Sequence, residues 1–294
     1  MIPATAGSPA IVGVDGSPDA LDAACWAGRE ASSQGRALHV LHASVWSMVC
    51  HPVPAGVPAG HRQTMLEKAQ RWVHEAADAA RAAASGVEVV ERLVVGEPAA
   101  VLIGESRHGS EVVVGCHGQD APVGGLLGST ALRLAQHAGC PVVVIRGSAP
   151  GDPEGSVVVG VDGSAGSDGA LEFGFERAAR HGVVLVALHV WSDVRIAAHD
   201  GVLWRALDWA TVADEEERML AERLAGWQDK YPDVEVRRVV AMDRPVRRLL
   251  AAAEGARILV VGSHGRGGVP GMLLGATSQS LLYVAPCPVV VVRH

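Results

Sequence analysis

The chain has 294 residues, of which 49% are hydrophobic and 19% charged, and its formal net charge is −7. No tract of clustered lysine and arginine is visible, which argues against nucleic-acid binding because affinity for phosphate is built from such clusters. No apolar run approaches the roughly 20 residues that cross a bilayer, and the first residues lack a signal-peptide pattern, so we expect a cytoplasmic protein without a membrane partner.

The first half of the chain alternates short apolar runs with helical segments. Ser17 and Pro18 predict an N-cap followed by proline at the first helical position. The segment 44–60 contains three prolines and no clear period, which predicts a loop that covers a site. The predicted strands are 10–15, 37–43, 87–95, 111–115 and 141–145, and the predicted helices are 18–33, 65–84, 98–107 and 129–138.

The second half repeats this order, with a tryptophan-bearing segment at 191–209. Its predicted strands are 156–162, 183–190, 234–240, 257–262 and 288–292. Of its four predicted helices, the first ends near residue 180, the second ends at 230, the third follows Pro245 and the fourth follows the second glycine loop. Such alternation predicts an α/β fold of two tandem Rossmann-like domains, each with a five-stranded parallel sheet covered by helices on both faces. We place the domains at 1–147 and 156–294, with residues 148–155 as the linker.

A glycine-rich loop after the fourth strand is the strongest functional signal. It occurs twice, 147 residues apart, with the spacing Gly-x2-Gly-x9-Gly followed by a helix start. A strand, a glycine loop and a helix N-terminus in succession are typical of a phosphate-binding cradle. The loop matches neither the Walker A motif nor the dinucleotide fingerprint. The six glycines are Gly115, Gly118 and Gly128 in the first copy and Gly262, Gly265 and Gly275 in the second.

The chain resembles the universal stress protein family, in the tandem two-domain form found in actinobacteria. The resemblance is carried by VGVDGS at 12–17 and 159–164, by the two glycine loops, and by the endings CPVVVIR and CPVVVVR at 140–146 and 287–293. It implies an adenine-nucleotide α-hydrolase-like domain with strand order 3-2-1-4-5, which places a ligand crevice between strands 1 and 4. It also implies binding of ATP or AMP, and a tendency to dimerise.

Carboxylates and glycines end the first strand of each half. Asp15 and Asp162 are expected at the mouth of the crevice, where they contact the ribose or a phosphate-bound Mg²⁺, or else cap the turn that precedes the first helix. Gly13 and Gly160 let a ligand approach the backbone, or let a helix pack closely on the strand. The residues leave both pairs of alternatives open.

The adenine base is expected at the end of the second strand. The resemblance implies that the backbone of Ala43 and Val190 faces the adenine edge. Ala99 and Val246, just after the prolines that follow the third strand, are weaker candidates for walling the base.

The two cradles differ in hydroxyl groups and in charge. The first has Gln119 and Asp120 after its second glycine, whereas the second has Arg266, whose guanidinium suits phosphate oxygens, so we expect tighter triphosphate binding in the second. His117 and His264 are either phosphate donors or solvated loop residues, and the histidine spacing does not indicate a metal site. The candidate helix-start residues are Ser129 and Thr130 in the first copy and Ala276, Thr277 and Ser278 in the second.

We see no convincing catalytic base beside either cradle and therefore expect a binding protein rather than an enzyme. The predicted function is a nucleotide-linked regulatory protein of the stress or dormancy response that binds ATP, ADP or AMP with Mg²⁺. The expected partners are the nucleotide, an unknown regulatory protein, and a second copy in a homodimer or the other repeat in an intrachain pseudo-dimer. The alternatives are a slow ATPase or autophosphorylating protein, and a scaffold that has lost nucleotide binding.

Overall fold

The computed structural model describes residues 7–44, 61–119, 127–146, 151–191, 209–265 and 272–293. The chain divides into two compact units, Met1–Pro150 and Gly151–His294. Most of the predicted covering loop, 44–60, and most of the tryptophan-bearing segment, 191–209, lie outside the described residues. None of the described helices is long and apolar enough to span a membrane.

The first unit is a five-stranded parallel sheet with helices between its strands. Strand β1 pairs with β2 and β4, β2 pairs with β3, and β4 pairs with β5, giving the order β3-β2-β1-β4-β5. This is the order that the family resemblance implied. The strands are β1 Ala10–Gly13, β2 Leu38–Ser44, β3 Val89–Val95, β4 Glu111–Gly115 and β5 Val142–Ile145, and the helices are α1 Pro18–Ser33, α2 His61–Ala83, α3 Pro98–Glu105 and α4 Ser129–His137.

Burial explains why the middle strands read as continuous apolar runs. Every residue of β1 and β5 is buried, as are the first four residues of β4, because helices cover both faces of the sheet. β3 lies at the end of the strand order, and Val95 there is 53% exposed. The core of the first unit therefore lies around β1 and β4, the strands that lead into the repeated VGVDGS motif and the repeated glycine loop.

Helix α1 begins as the sequence predicts. Ser17 is its N-cap and accepts a hydrogen bond through Oγ from the backbone N–H of Ala20 at 3.2 Å, and Pro18 is the first helical residue. The cap satisfies one of the N–H groups that a helix start leaves without an intrahelical partner. It fixes the first turn of α1 directly below the end of β1.

The second unit has the same topology. Strand β6 pairs with β7 and β9, β7 pairs with β8, and β9 pairs with β10, all in parallel. The order is therefore β8-β7-β6-β9-β10. The strands are β6 Val157–Val161, β7 Leu185–Trp191, β8 Val236–Met242, β9 Ile258–Gly262 and β10 Val289–Val292, and the described helices are α5 Ala165–His181, α6 Trp209–Lys230, α7 Pro245–Ala253 and α8 Ala276–Val284.

Candidate functional site

A crevice of about 420 Å³ opens at the carboxyl ends of β1 and β4 in the first unit. Its volume lies within the range of about 300–1,000 Å³ that is usual for small-molecule sites. Its position is the one expected for the ligand of an open parallel sheet. The crevice is lined by Gly13, Val14, Asp15, Ser17, Ala20, Leu41, His42, Ala43, Trp72, Pro98, Leu102, Val114, Gly115, His117, Gly118, Gln119, Gly128, Ser129, Thr130 and Ala131.

Asp15 joins the turn after β1 to the loop after β4. Its Oδ1 accepts a hydrogen bond from the backbone N–H of Ser17 at 3.0 Å, and its Oδ2 accepts one from the backbone N–H of Gln119 at 3.1 Å. The first bond is the turn-capping arrangement considered from the sequence, and the second holds the glycine loop against β1. Glycine at position 118 leaves this carboxylate undisturbed, whereas a Cβ atom there would lie 2.9 Å from Asp15 Oδ2 and displace it.

The second unit repeats this contact, but its serine hydroxyl bonds to the aspartate instead of capping the helix. Asp162 Oδ1 accepts hydrogen bonds from the backbone N–H of Ser164 at 3.0 Å and from its hydroxyl at 2.6 Å. A Cβ atom at Gly265 would collide with Asp162 Oδ2. Since its hydroxyl donates to Asp162, Ser164 makes no side-chain cap for α5, unlike Ser17 in the first unit.

The glycines at or next to the last residue of each unit's first strand make room for leucines. A Cβ atom on Gly13 would lie 2.7 Å from Leu102 Cδ1, and one on Gly160 would lie 3.2 Å from Leu249 Cδ2. Of the two alternatives raised by the sequence, close packing of a helix on the strand is therefore what the structure contains. Gly13 also lines the crevice, so both roles meet at this position.

The outer glycines of the first cradle bring backbone segments together. A Cβ atom on Gly115 would lie 2.7 Å from the backbone carbon of Asp19, in the first turn of α1. The backbone N–H of Gly128 donates to the carbonyl of Cys116 at 2.8 Å, which returns the chain to the end of β4. In the second unit, Gly262 lies against the backbone of Gly166, and the N–H of Gly275 donates to the Ser263 carbonyl at 2.7 Å.

The N-terminus of α4 forms one wall of the crevice. Its first intrahelical bond runs from the N–H of Leu132 to the carbonyl of Gly128, so the N–H groups of Ser129, Thr130 and Ala131 precede the ladder. All three residues line the crevice. A helix start of this kind presents a partial positive charge that favours an anion.

The helix start in the second unit differs in one hydroxyl group. Its ladder begins with the N–H of Gln279 bound to the carbonyl of Gly275, so Ala276, Thr277 and Ser278 occupy the matching positions. The hydroxyl of Ser278 donates to the Gly262 carbonyl at 2.7 Å, and the residue is buried. Ser278 therefore holds α8 against β9 and does not present its hydroxyl to a ligand. The hydroxyl groups of the two cradles thus differ less in their contact with a ligand than the sequence suggested.

The residues expected around the base divide between the crevice wall and the core. Ala43 lines the crevice at the end of β2, whereas Ala99 is fully buried and its neighbours Pro98 and Leu102 form the wall instead. In the second unit, Val190 near the end of β7 and Val246 in the first turn of α7 are half-buried.

Histidines at the end of the second strand are structural. His42 Nδ1 lies 2.7 Å from the carbonyl of Val14, and His189 Nδ1 lies 2.6 Å from the carbonyl of Val161, so each Nδ1 carries the proton and donates to the end of the first strand. The Nε2 of His189 also contacts Glu216 at 2.9 Å. These contacts hold both imidazole rings against the end of the first strand of their unit.

The loop histidines are held by protein groups. His117 Nδ1 lies 2.9 Å from Asp19 Oδ2 and 2.9 Å from the thiol sulfur of Cys116, which is fully buried. His264 Nε2 lies 2.5 Å from the Met272 carbonyl. Neither histidine is simply a solvated loop residue. Arg266, the cation expected to bind phosphate in the second unit, lies outside the described residues.

Glu97 supports the wall of the crevice from outside. It caps α3 by accepting hydrogen bonds from the N–H groups of Ala99 and Ala100 and pairs with Arg133 of α4 at 2.8 Å. Partial burial alone raises the pKa of this carboxyl group, but the two backbone donors and Arg133 outweigh it and hold the pKa below its usual value. Glu97 thereby joins α3 and α4 on either side of the crevice.

Among the residues not singled out from the sequence, Trp72 lines the crevice and Asp19 contacts His117, which lines it. Trp72 of α2 packs against Gly16, whose φ of +81° is the left-handed conformation that glycine adopts readily, and its ring meets that of His42 edge-on at 5.4 Å. Asp19 contacts the loop after β4. Helical spacing places Trp72 on the buried face of α2, but only the folded chain shows which loop it meets.

Comparisons with known proteins agree with the repeated topology. The model of the universal stress protein family matches residues 8–146 and 155–293. The universal stress protein Rv2005c of Mycobacterium tuberculosis is 40% identical over 293 residues, covering 97% of this chain and 96% of that protein. Rv2623 of the same species is 39% identical over 295 residues, with 97% and 96% covered. A crystal structure of a universal stress protein from Archaeoglobus fulgidus superposes with a TM-score of 0.67 at 23% identity, covering 98% of this chain and 97% of that one, which shows the shared fold.

Proposed function

Because the chain belongs to the universal stress protein family, we propose that each of its units binds one adenine nucleotide, ATP, ADP or AMP, at the carboxyl ends of its first and fourth strands. The observation that carries this proposal is the N-terminus of α4, whose first N–H groups line a crevice of suitable size. The phosphates would lie against Ser129 and Thr130, where the helix dipole and the backbone donors favour negative charge.

The opposite side of the crevice suits a base. Leu41, Ala43 and Leu102 provide an apolar wall there, and Ala43 lies next to the last residue of the strand whose backbone edge would recognise adenine. Apolar walls with a few polar groups at one end are the usual composition of a nucleotide-sized pocket. The ribose would then lie near Gly13 and Asp15, between the base and the phosphates.

Magnesium fits this arrangement as a companion of the phosphates. Mg²⁺ is commonly bound through one or two carboxylates together with substrate phosphates. Each oxygen of Asp15 accepts one backbone hydrogen bond, and a carboxylate offers about four acceptor positions, so Asp15 retains the capacity to hold the ion or its water ligands. The ion would neutralise phosphate charge, which matters in a first cradle whose sequence 115–131 contains no lysine or arginine.

We further propose that the nucleotide acts as a regulatory ligand rather than as a substrate. Two crevice groups able to take a proton already make protein contacts, because Asp15 accepts two backbone donors and His117 Nδ1 contacts Asp19. Hydrolysis would require a group that orients water beside the terminal phosphate. A ligand that binds one state of the folded protein more tightly shifts its population, which would suit a regulator of the stress response in the cytoplasm.

The test combines analysis of retained nucleotide with charge substitutions at the helix starts. Ser129 and Ala276 are exposed first residues of α4 and α8, where an acidic side chain is favourable for the helix but repels a phosphate. We expect Ser129→Glu and Ala276→Glu each to remove about one nucleotide per chain, while the neutral controls Ser129→Gln and Ala276→Gln retain it. Nucleotide would be released by denaturing purified protein and identified by mass spectrometry, with Mg-ATP titration for protein that carries none.

The outcomes separate the rival functions. Wild-type protein that carries no nucleotide and shows no thermal shift with Mg-ATP would refute the proposal and favour a scaffold. Release of phosphate that disappears in the glutamate variants but persists in the glutamine controls would favour a slow ATPase. A homodimer, which we also propose from family membership, would be measured by light scattering with and without nucleotide.

A further inference from the structure

Three side chains of the first unit bring three different metal-binding atoms together. Cys116 Sγ lies 3.2 Å from Asp19 Oδ2 and 2.9 Å from His117 Nδ1, and that nitrogen lies 2.9 Å from the same carboxylate oxygen. A thiol, an imidazole and a carboxylate therefore meet at one point. The point lies between the first turn of α1 and the end of β4, and His117 also lines the crevice.

The local fold holds this cluster together without a ligand. The absence of a side chain at Gly115 lets the first turn of α1 approach the end of β4, so that Asp19 reaches the loop. The backbone N–H of His117 also donates to Asp19 Oδ2, at 3.1 Å. Cys116 is fully buried, whereas the side chains of His117 and Asp19 are 21% and 17% exposed, so two of the three donor side chains are accessible from solvent.

The donor set selects a particular class of ion. Zn²⁺ binds thiolate, imidazole and carboxylate, whereas Mg²⁺ and Ca²⁺ prefer oxygen alone. Bond lengths of about 2.0–2.3 Å in a tetrahedral site place ligand atoms roughly 3.3–3.6 Å apart, so the three donors need to separate by only about 0.5 Å. We propose that Asp19, Cys116 and His117 form a site for Zn²⁺ or a similar borderline-soft divalent cation, with water completing its coordination.

The proton balance of this step is simple. Binding converts the Cys116 thiol to a thiolate, and its proton passes to solvent. His117 binds as the neutral imidazole and Asp19 as the carboxylate, so any proton on either group is also released. Affinity for the ion should therefore weaken as the pH falls.

The second unit provides an internal comparison. Gly166, Ser263 and His264 stand at the positions 147 residues after Asp19, Cys116 and His117. His264 Nδ1 lies 3.1 Å from the Ser263 hydroxyl, but glycine supplies no carboxylate and serine no thiol. The site therefore belongs to the first unit alone, and one ion per chain is expected. It does not depend on nucleotide binding.

Cobalt titration of the full-length chain, reduced and without added nucleotide, tests the proposal. Co²⁺ occupies zinc sites and reports a bound thiolate through a charge-transfer band in the near ultraviolet. We expect one Co²⁺ per chain, this band, and displacement by Zn²⁺. Cys116→Ser, which installs the residue found in the second unit, should abolish the band, and Asp19→Asn should weaken affinity at least about tenfold.

Matched controls assign the site to these three residues. His264→Ala and Cys25→Ser should both leave stoichiometry and band unchanged, and thermal melting monitored by circular dichroism should show that every variant is folded. Wild-type protein without a thiolate band at saturating Co²⁺ would overturn the proposal, as would an unchanged band in Cys116→Ser. Should Cys116→Ser fail to fold, undiminished affinity in Asp19→Asn would overturn it. The nucleotide content of the same samples is measured separately, so the two proposals can fail independently.

Discussion

Asp15 Oδ2 accepts a hydrogen bond at 3.1 Å from the backbone N–H of Gln119, 104 residues later in the chain. This contact ties the end of β1 to the glycine loop after β4. It explains why the loop has glycine at position 118, where a Cβ atom would lie 2.9 Å from the same oxygen. The acidic residue thus shapes the cradle in addition to any contact it makes with a ligand.

Asp15→Asn should loosen this loop without changing the shape of the side chain. The amide offers one acceptor oxygen, so one of the two backbone donors loses its partner. Leaving a buried donor without a partner costs about 1–3 kcal/mol, and we expect the lower end of this range because the site is half-buried. We expect faster hydrogen exchange in the peptide containing Gln119. Asp162→Asn is the control and should leave that peptide unchanged; equal exchange in the two variants would contradict the role of Asp15.

The repeated topology could be predicted because apolar runs, glycines and prolines mark each element locally. Helix α1 begins and ends where the sequence places it, and β4 has its predicted bounds. The partners inside the site could not be predicted in the same way. The close approach of Gly118 to Asp15 Oδ2 is not visible in the sequence, and the contact of Asp19 with His117 joins segments 98 residues apart. Such pairings depend on side-chain direction in the folded chain.

Gly13→Ala should be more destabilising than Gly160→Ala. The new methyl group would lie 2.7 Å from Leu102 Cδ1 in the first unit but 3.2 Å from Leu249 Cδ2 in the second. Overpacking of this kind typically costs about 1–3 kcal/mol. Denaturant unfolding of the full chain would measure the free energy of unfolding of both variants. If the clash with Leu102 is the cause, the double variant Gly13→Ala, Leu102→Ala should be less destabilised than the sum of the two single variants. No coupling in this cycle would argue against the clash.

Cys140 and Cys287 should resist alkylation in the native protein. Burial raises the pKa of each thiol to about 12, with the charge of Glu111 adding to the effect at Cys140. At pH 8 a thiol with this pKa is thiolate in roughly one molecule in 10⁴, and the thiolate is the reactive form. Mass spectrometry after iodoacetamide treatment should find both unmodified in folded protein and modified after denaturation. Native labelling at the denatured rate would contradict their burial.

Glu97→Ala should reduce stability in a pH-dependent way. The pKa of Glu97 is lowered in the folded state, so its contribution is fully present above the unfolded value near 4.5 and is lost as the pH falls through the lower, folded value. Loss of the cap should cost about 1 kcal/mol at pH 7, a modest figure because the side chain is exposed. Unfolding at pH 7 and at pH 3 should show the difference between variant and wild type shrinking in acid; a constant difference would exclude the carboxylate as its source.

The two cradles should differ in affinity for ATP more than for AMP. Arg266 follows the second glycine of the second cradle, whereas Gln119 and then Asp120 follow that of the first. A guanidinium gains most from a ligand with more phosphate charge. Ser129→Glu leaves the second site for titration in the full chain, and Ala276→Glu leaves the first. We expect Ser129→Glu to bind ATP several-fold more tightly than Ala276→Glu does, with the ratio falling towards one for AMP.

A control variant tests whether Arg266 is the cause. The double variant Ser129→Glu, Arg266→Gln should lose the tighter ATP binding of Ser129→Glu, because glutamine removes the charge and retains a polar side chain. Since the attraction is electrostatic, the ratio should also fall as salt is raised. Equal or tighter ATP binding by the first site at low salt would contradict the expected advantage of the second cradle.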